Sequence, residues 1–342
     1  MKRFTRWKFF LLMAILSAML IMGICLGLFL GAVNIDVTEI FSILFNPAED
    51  QETQRLILFG IRLPRIILAI IIGTSLALSG AAFQGFFRNS LADPFVIGVS
   101  SGAALGAALA IVFGFSFISA AIAPSIASFA GALLAVCLAF VIARSGGNPP
   151  PATMLLLAGT ALSSFFSALL SLILVLHDQD LHRVYFWLLG SLSSAAWPTV
   201  VAILPISVFS WIVICLCIRP LDILLQGEDV AESLGVDVKK ARIIIAAGAS
   251  LAAAASVAAV GIIGFVGLVA PHSVRMMTGP RHARLLPASA LMGANLVLWA
   301  DIIARTIIAP MELPIGIISS LAGVPFFLYV MISRGRNIGS FS

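Results

Sequence analysis

The sequence predicts an all-α membrane protein of about ten transmembrane helices, and three observations predict it. Hydrophobic residues make up 61% of the chain and the mean hydropathy is +1.13, far above the roughly 45–50% apolar content of an ordinary soluble domain. Charged residues amount to only 10% and are gathered into short segments between long apolar runs. Those runs are continuous rather than alternating, which excludes barrel strands and requires helices that satisfy their own backbone groups in lipid.

Met1 to Lys8 carries Lys2, Arg3, Arg6 and Lys8 ahead of 25 uncharged residues, Phe9 to Val33. A secretory signal has the same order of features, but its apolar region runs only ~7–15 residues. The segment reads as a retained first span with its basic end inside. Its Gly23, Gly27 and Gly31 recur every four residues, either as small-residue helix packing or as a generic glycine-rich span. Asn34 to Leu63 is polar, and Asp36 could open a short interfacial helix there. Arg62-Leu-Pro-Arg65 starts the second span, Ile66 to Phe87, with proline where a helix start loses no hydrogen bond. Arg88 to Pro94 is a polar turn.

From Pro94 to Ala143 come 50 residues without a formal charge, which suits two spans of ~20 residues each, broken near Ser116 to Ser125. Pro149-Pro150-Pro151 marks a loop before the fifth span, Ala152 to Leu176. A short helix near Tyr185 to Leu192 precedes the sixth, Trp197 to Ile218. The remaining spans are Ile243 to Val260, Ile262 to Met277, Leu285 to Ile303 and Ile315 to Ser333. Ten spans place both termini on one side. Of the 20 Lys and Arg residues, 15 fall on that side and 5 on the other, so the positive-inside rule makes it cytoplasmic. For that reason the net charge of +5 points to membrane orientation and not to nucleic acid. The four cysteines lie in apolar runs and read as buried apolar side chains.

One stretch breaks the apolar pattern. Glu228 to Arg242 holds seven charged residues, between uncharged runs of 35 (Val184 to Ile218) and 32 residues (Ile243 to Val274). Charge of that density cannot sit in hydrocarbon, so the segment lies in the cytoplasm as a docking surface. Asp229 to Leu234 suits one or two helical turns, with acids near the N-terminus where the dipole favours them and Gly235 as the C-terminal cap. A weaker signal is an internal echo: Arg65 to Gln84 laid over Arg242 to Gly261 gives eight identities in 20 positions. The two segments enter from opposite sides, which would make the repeat inverted, as in many transporters.

There is no Gly-Lys-Ser/Thr phosphate loop, no dinucleotide fingerprint and no metal-ligand spacing. His272 and Asp301 are the only candidate intramembrane charges, each isolated in sequence. An ion-coupled carrier working alone would need such residues mid-span, and an intramembrane enzyme would need them paired. A conduit with neither takes its energy from another subunit, and the charged segment is where that subunit would attach.

Several motifs together carry a family resemblance. They are Arg62-Leu-Pro-Arg65, Gly80-Ala-Ala-Phe-Gln84, Asn89-Ser-Leu-Ala-Asp-Pro94, Gly98-Val-Ser-Ser-Gly-Ala103, Gly227-Glu-Asp-Val-Ala-Glu-Ser-Leu-Gly235, Gly264-Phe-Val-Gly-Leu-Val-Ala-Pro-His272, Asp301-Ile-Ile-Ala-Arg305 and Glu312-Leu-Pro-Ile-Gly316. Across the whole chain the sequence resembles the permeases of type II ABC importers for iron–siderophore, haem and vitamin B12. The resemblance implies a single permease domain, 1–342, in the inner membrane of a prokaryote, acting by alternating access as one of two permease copies. It implies two cytoplasmic ATPase subunits, which bind the ATP and magnesium, and an extracytoplasmic binding protein. This chain would carry no cofactor, metal or catalytic residue of its own. A coupling segment within 222–240 would seat Gly227, Glu228, Asp229, Ala231, Glu232, Leu234 and Gly235 on the ATPase. Arg62 and Arg305 would meet carboxylates of the binding protein, while Arg65 stabilises the start of its helix. Thr153 follows the loop where the family narrows its inner gate, although Pro149 to Ala152 departs from the family's more polar run. Gly98 and Gly102 would line the pathway or allow close helix approach. The cargo class is an iron–siderophore or a similar large chelate.

Overall fold

The computed structural model describes residues 6–31, 52–114, 119–147 and 150–338, with side chains in the last helix described only as far as its middle. The helix expected at Asp36 lies outside the described residues. The first half of the chain gives α1 (Arg6–Phe29), α2 (Glu52–Phe86), α3 (Val99–Phe113), α4 (Ala123–Ala143), α5 (Ala152–Leu176) and α6 (Leu181–Leu188). The second half gives α7 (Trp197–Leu216), α8 (Ile218–Leu224), α9 (Glu228–Ser233), α10 (Val238–Val260), α11 (Val266–Thr278), α12 (His282–Thr306) and α13 (Ile315–Ile338). No strand occurs among the described residues.

Seven of these helices, α1, α2, α4, α5, α7, α10 and α12, are long and apolar enough to cross a membrane. Two of the ten expected spans are shorter than a crossing. α3 has 15 residues and α11 has 13, about 22 and 20 Å at ~1.5 Å per residue against a core of ~30 Å. Both start after a non-helical segment that is itself largely covered by the bundle. Before α3, Gly98 takes φ +90° and sits beside Ser163 and Gly159 of α5. Before α11, Gly261 to Gly264 is non-helical, and Phe265 adopts φ +68°. Counting apolar residues misses this, because hydropathy records length along the chain and not depth.

α2 is longer than expected, running 35 residues from Glu52. The segment Leu56–Arg62 widens into a π turn, and the Trp197 indole N–H donates to the Phe59 carbonyl at 2.8 Å. A widened turn frees carbonyls from the regular ladder.

The core is a column of α2, α10 and α12. α10 runs antiparallel to α2, with Arg242 over the Phe86 ring and the Ser79 hydroxyl donating to Ala249 O at 2.7 Å. α12 is antiparallel to α2 as well. Its Gly293 meets Gly73 so closely that a Cβ on Gly73 would stand 2.2 Å from the Gly293 carbonyl oxygen. α11 joins α2 at Gly80 and Gly267, where a Cβ on Gly80 would lie 1.7 Å from a backbone oxygen. The glycines of α1 pack as the four-residue spacing suggests, Gly23 on Leu298 and Gly27 on Ile66 and Arg305. α1 therefore runs parallel to α12.

Residues lining up at one end are Arg88, Glu228, Arg242, Asp222 and His282, with the N-terminal end of α1. Arg62, Arg65, Asp301 and Arg305 mark the opposite end. α5 lies at the periphery and presents Leu157, Phe165, Leu172 and Val175 outward. Three cysteines, Cys25, Cys137 and Cys215, also face outward, and only Cys217 is buried.

Candidate partner-docking segment

The charged stretch folds as a hook at one end of the column. Gly227 takes φ +121° and turns the chain into α9, and Gly235 takes φ +77° and turns it out. Both conformations favour glycine. The exit is a Schellman turn, with Val236 N–H donating to Ala231 O at 3.0 Å and Gly235 N–H to Glu232 O at 2.9 Å. Asp237 then caps α10, accepting from Lys240 N–H at 3.0 Å. The hydrogen bonds and charge of Lys240 hold its carboxyl below the ordinary aspartate value.

The hook is fastened at two points. Ala231 is fully buried. The Glu228 carboxylate accepts from Arg242 at 2.5 Å and from Arg88 at 3.3 Å. Asp229, Val230, Glu232, Ser233 and Leu234 all face solvent, with Val230 42% and Leu234 59% exposed. Of the residues expected to meet a partner, Asp229, Glu232 and Leu234 are thus presented outward. Gly227 and Gly235 shape the turns, and Ala231 and Glu228 hold the hook to the body.

A second link at this end was not legible in the sequence. Asp222 of α8 accepts from the His282 backbone N–H at 2.8 Å and from its ring Nδ1 at 2.7 Å. Burial alone would raise the Asp222 carboxyl, but the bonds from His282 outweigh it and hold it below its ordinary value. His282 opens α12, so the pair ties the hook's neighbour to the core column.

At the opposite end Asp301 is not isolated. Arg65 donates to Asp301 at 2.9 Å through Nε and to Glu312 at 2.9 Å through Nη1. Arg305 Nε stands 3.7 Å from Asp301, and Arg305 Nη2 donates to Gly27 O at 2.8 Å. Arg62 donates to the carbonyls of Leu28 and Phe29. The expectation for Arg62 and Arg305 was a pair of arginines presented to a partner. Here they are 4% and 5% exposed and turned into the protein, so docking through them asks for release of these internal bonds. The spacing of Asp301 and Arg305, one helical turn apart, was the available signal for the pairing.

Thr153 is exposed near the start of α5. Gly102 lies on the α3–α4 contact, where its Cβ would meet Gly131 O at 2.4 Å, so it serves close helix approach. His272 Nδ1 lies 3.0 Å from Ser90 O. Among the described residues no group of three His, Cys, Asp or Glu side chains stands close enough to hold a metal ion.

Comparison with known proteins adds to this geometry. A family profile described as the FecCD transport family matches residues 19–333. The chain is 44% identical over 283 residues to the cobalamin import system permease protein BtuC of Halobacterium salinarum, covering 83% of this chain and 75% of the relative. It is 38% identical to the hemin transport system permease protein HmuU of Yersinia pestis, over 89% of this chain and 92% of the relative. A solved structure described as an inward-facing conformation of a metal-chelate type ABC transporter matches with TM-score 0.81 at 33% identity, over 94% of this chain and 98% of that one.

Proposed function

The chain belongs to the FecCD transport family, permeases of ABC importers, and from that premise we propose how it works. It forms the conduit of an importer for a large chelate, such as cobalamin, haem or an iron–siderophore complex, and moves by alternating access. Two cytoplasmic ATPase subunits supply the energy, a second permease copy completes the pathway, and a binding protein delivers cargo from outside. The hook end, with both chain termini, faces the cytoplasm of a prokaryotic cell, in keeping with the 15 to 5 distribution of basic residues. The domain is the whole chain, 1–342, with the coupling segment within 222–240.

The observation that carries this reading is the way α9 is hung. A helix of six residues has no stability alone. It is nevertheless held rigidly by Ala231 and Glu228 while Asp229, Val230, Glu232 and Leu234 remain uncovered. An acidic and apolar face fixed in place at the end of a membrane bundle suits a groove on a soluble motor. At the outer end, Arg62 and Arg305 would be drawn from their backbone carbonyls toward carboxylates of the binding protein, so docking there would loosen α1 from α2 and α12. The varied cargoes in the relatives' names support a shared conduit whose selectivity rests with the binding protein.

The test is reconstitution. The permease, purified with its ATPase and supplied with loaded binding protein, imports cargo into vesicles only with ATP inside the compartment that faces the hook. Transport by the lone chain under an ion gradient would overturn the proposal in favour of an ion-coupled carrier.

A further inference from the structure

The structure assigns Arg242 the role of a joint that passes movement of α9 to α5, an inference that rests on reading α9 as the ATPase contact. The Arg242 side chain is 5% exposed, and its planar head serves two partners at once. Nη2 donates to the Glu228 carboxylate of α9, and Nη1 donates to the Pro150 carbonyl at 3.0 Å. The ring of Phe86 lies 5.5 Å from the guanidinium carbon and steadies its plane. A guanidinium is a rigid fork, so its two donor directions cannot change independently. A pull on Glu228 that turns the fork necessarily alters the hold on Pro150.

Pro150 stands one residue ahead of Pro151, the N-cap of α5. Proline fixes φ, so a displacement at Pro150 is handed to the helix instead of being absorbed in the loop. The two helices involved differ in freedom. α10, which carries Arg242, is mostly buried within the chain, whereas α5 is the least buried of the seven spanning helices. The joint is therefore mounted on a fixed post and acts on the span least held by its own chain. Arg88 also reaches Glu228, at 3.3 Å, but from an exposed position, and no bond links it to Pro150.

The test uses the complete complex in vesicles, in a background with Cys25, Cys137, Cys215 and Cys217 replaced by serine and T153C added as the reporter at the start of α5. The probe is a membrane-impermeant maleimide, supplied in the compartment that faces the hook, with and without a non-hydrolysable ATP analogue there. The parent complex and an R88Q variant show a nucleotide-dependent change in labelling at position 153. In R242K, which keeps a charge for Glu228 but not the fork, and in R242Q, that change is lost. Cargo moved per ATP hydrolysed falls about tenfold, within the range of single-residue coupling energies, while the ATPase stays bound. Persistence of the labelling change in both variants would overturn the inference. So would loss of the assembled complex in both, which would make Arg242 merely structural. A parent complex that captures no ATPase would remove the functional reading as well.

Discussion

Arg65 is held between two carboxylates of unequal exposure, Asp301 at 0% and Glu312 at 35%. Removing one partner of a buried pair leaves an uncompensated charge and costs about 3–5 kcal/mol, whereas a partly exposed pair contributes about 0–1 kcal/mol. D301A is expected to lower the melting temperature of the detergent-solubilised protein strongly and E312Q only slightly; equal effects would remove Asp301 from the centre of the network. Asp222 makes a prediction of opposite character. Its folded-state value is depressed, so its bonds to His282 contribute stability above the ordinary aspartate range, about pH 4, which is lost as pH falls through the depressed value. A melting series taken downward from about pH 6 should show a larger loss of stability below about pH 4 in the native protein than in D222N.

Close helix contact is the property of the elements that tolerates least change. Gly80 and Gly60 are both in α2, but a Cβ at Gly80 would stand 1.7 Å from the Gly267 carbonyl oxygen, while at Gly60 nothing lies within 4 Å. G80A forces α2 and α11 apart and should cost about 1–3 kcal/mol or more, seen as poor recovery of folded protein, with G60A unaffected. The sequence made some of these elements legible and hid others, for physical reasons. α5 has the bounds expected, Ala152 to Leu176, because prolines before it and polar residues after it leave little choice. The hook was visible as charge density, and its exit turn as Gly235 placed for a C-terminal cap. The half-length α3 and α11 were not visible, because the non-helical residues just before them, Phe95 to Gly98 and Gly261 to Gly264, are as apolar as a helix would be. The start of α2 at Glu52 was hidden by its polar flank. Where the arginines find their partners was hidden as well, since Arg65 meets the Glu312 carboxylate and Arg242 the Pro150 carbonyl only through the fold.

At the scale of the whole molecule, the two ends divide the work. One end gathers the ion network that fastens α1, α2 and α12; the other carries the hook and its Arg242 clamp, with the apolar column between them. On the proposed function, an external motor grips this column through the outward face of α9. Replacing Asp229, Val230, Glu232 and Leu234 together by alanine leaves Ala231 and Glu228, and with them the hook's fastening, untouched. The measurement is ATP-driven cargo uptake by vesicles containing the permease carrying these four replacements, its ATPase and loaded binding protein. The permease is expected to fold and insert but no longer to retain the ATPase, and uptake is expected to be lost. Uptake at the unaltered rate would contradict the proposed function.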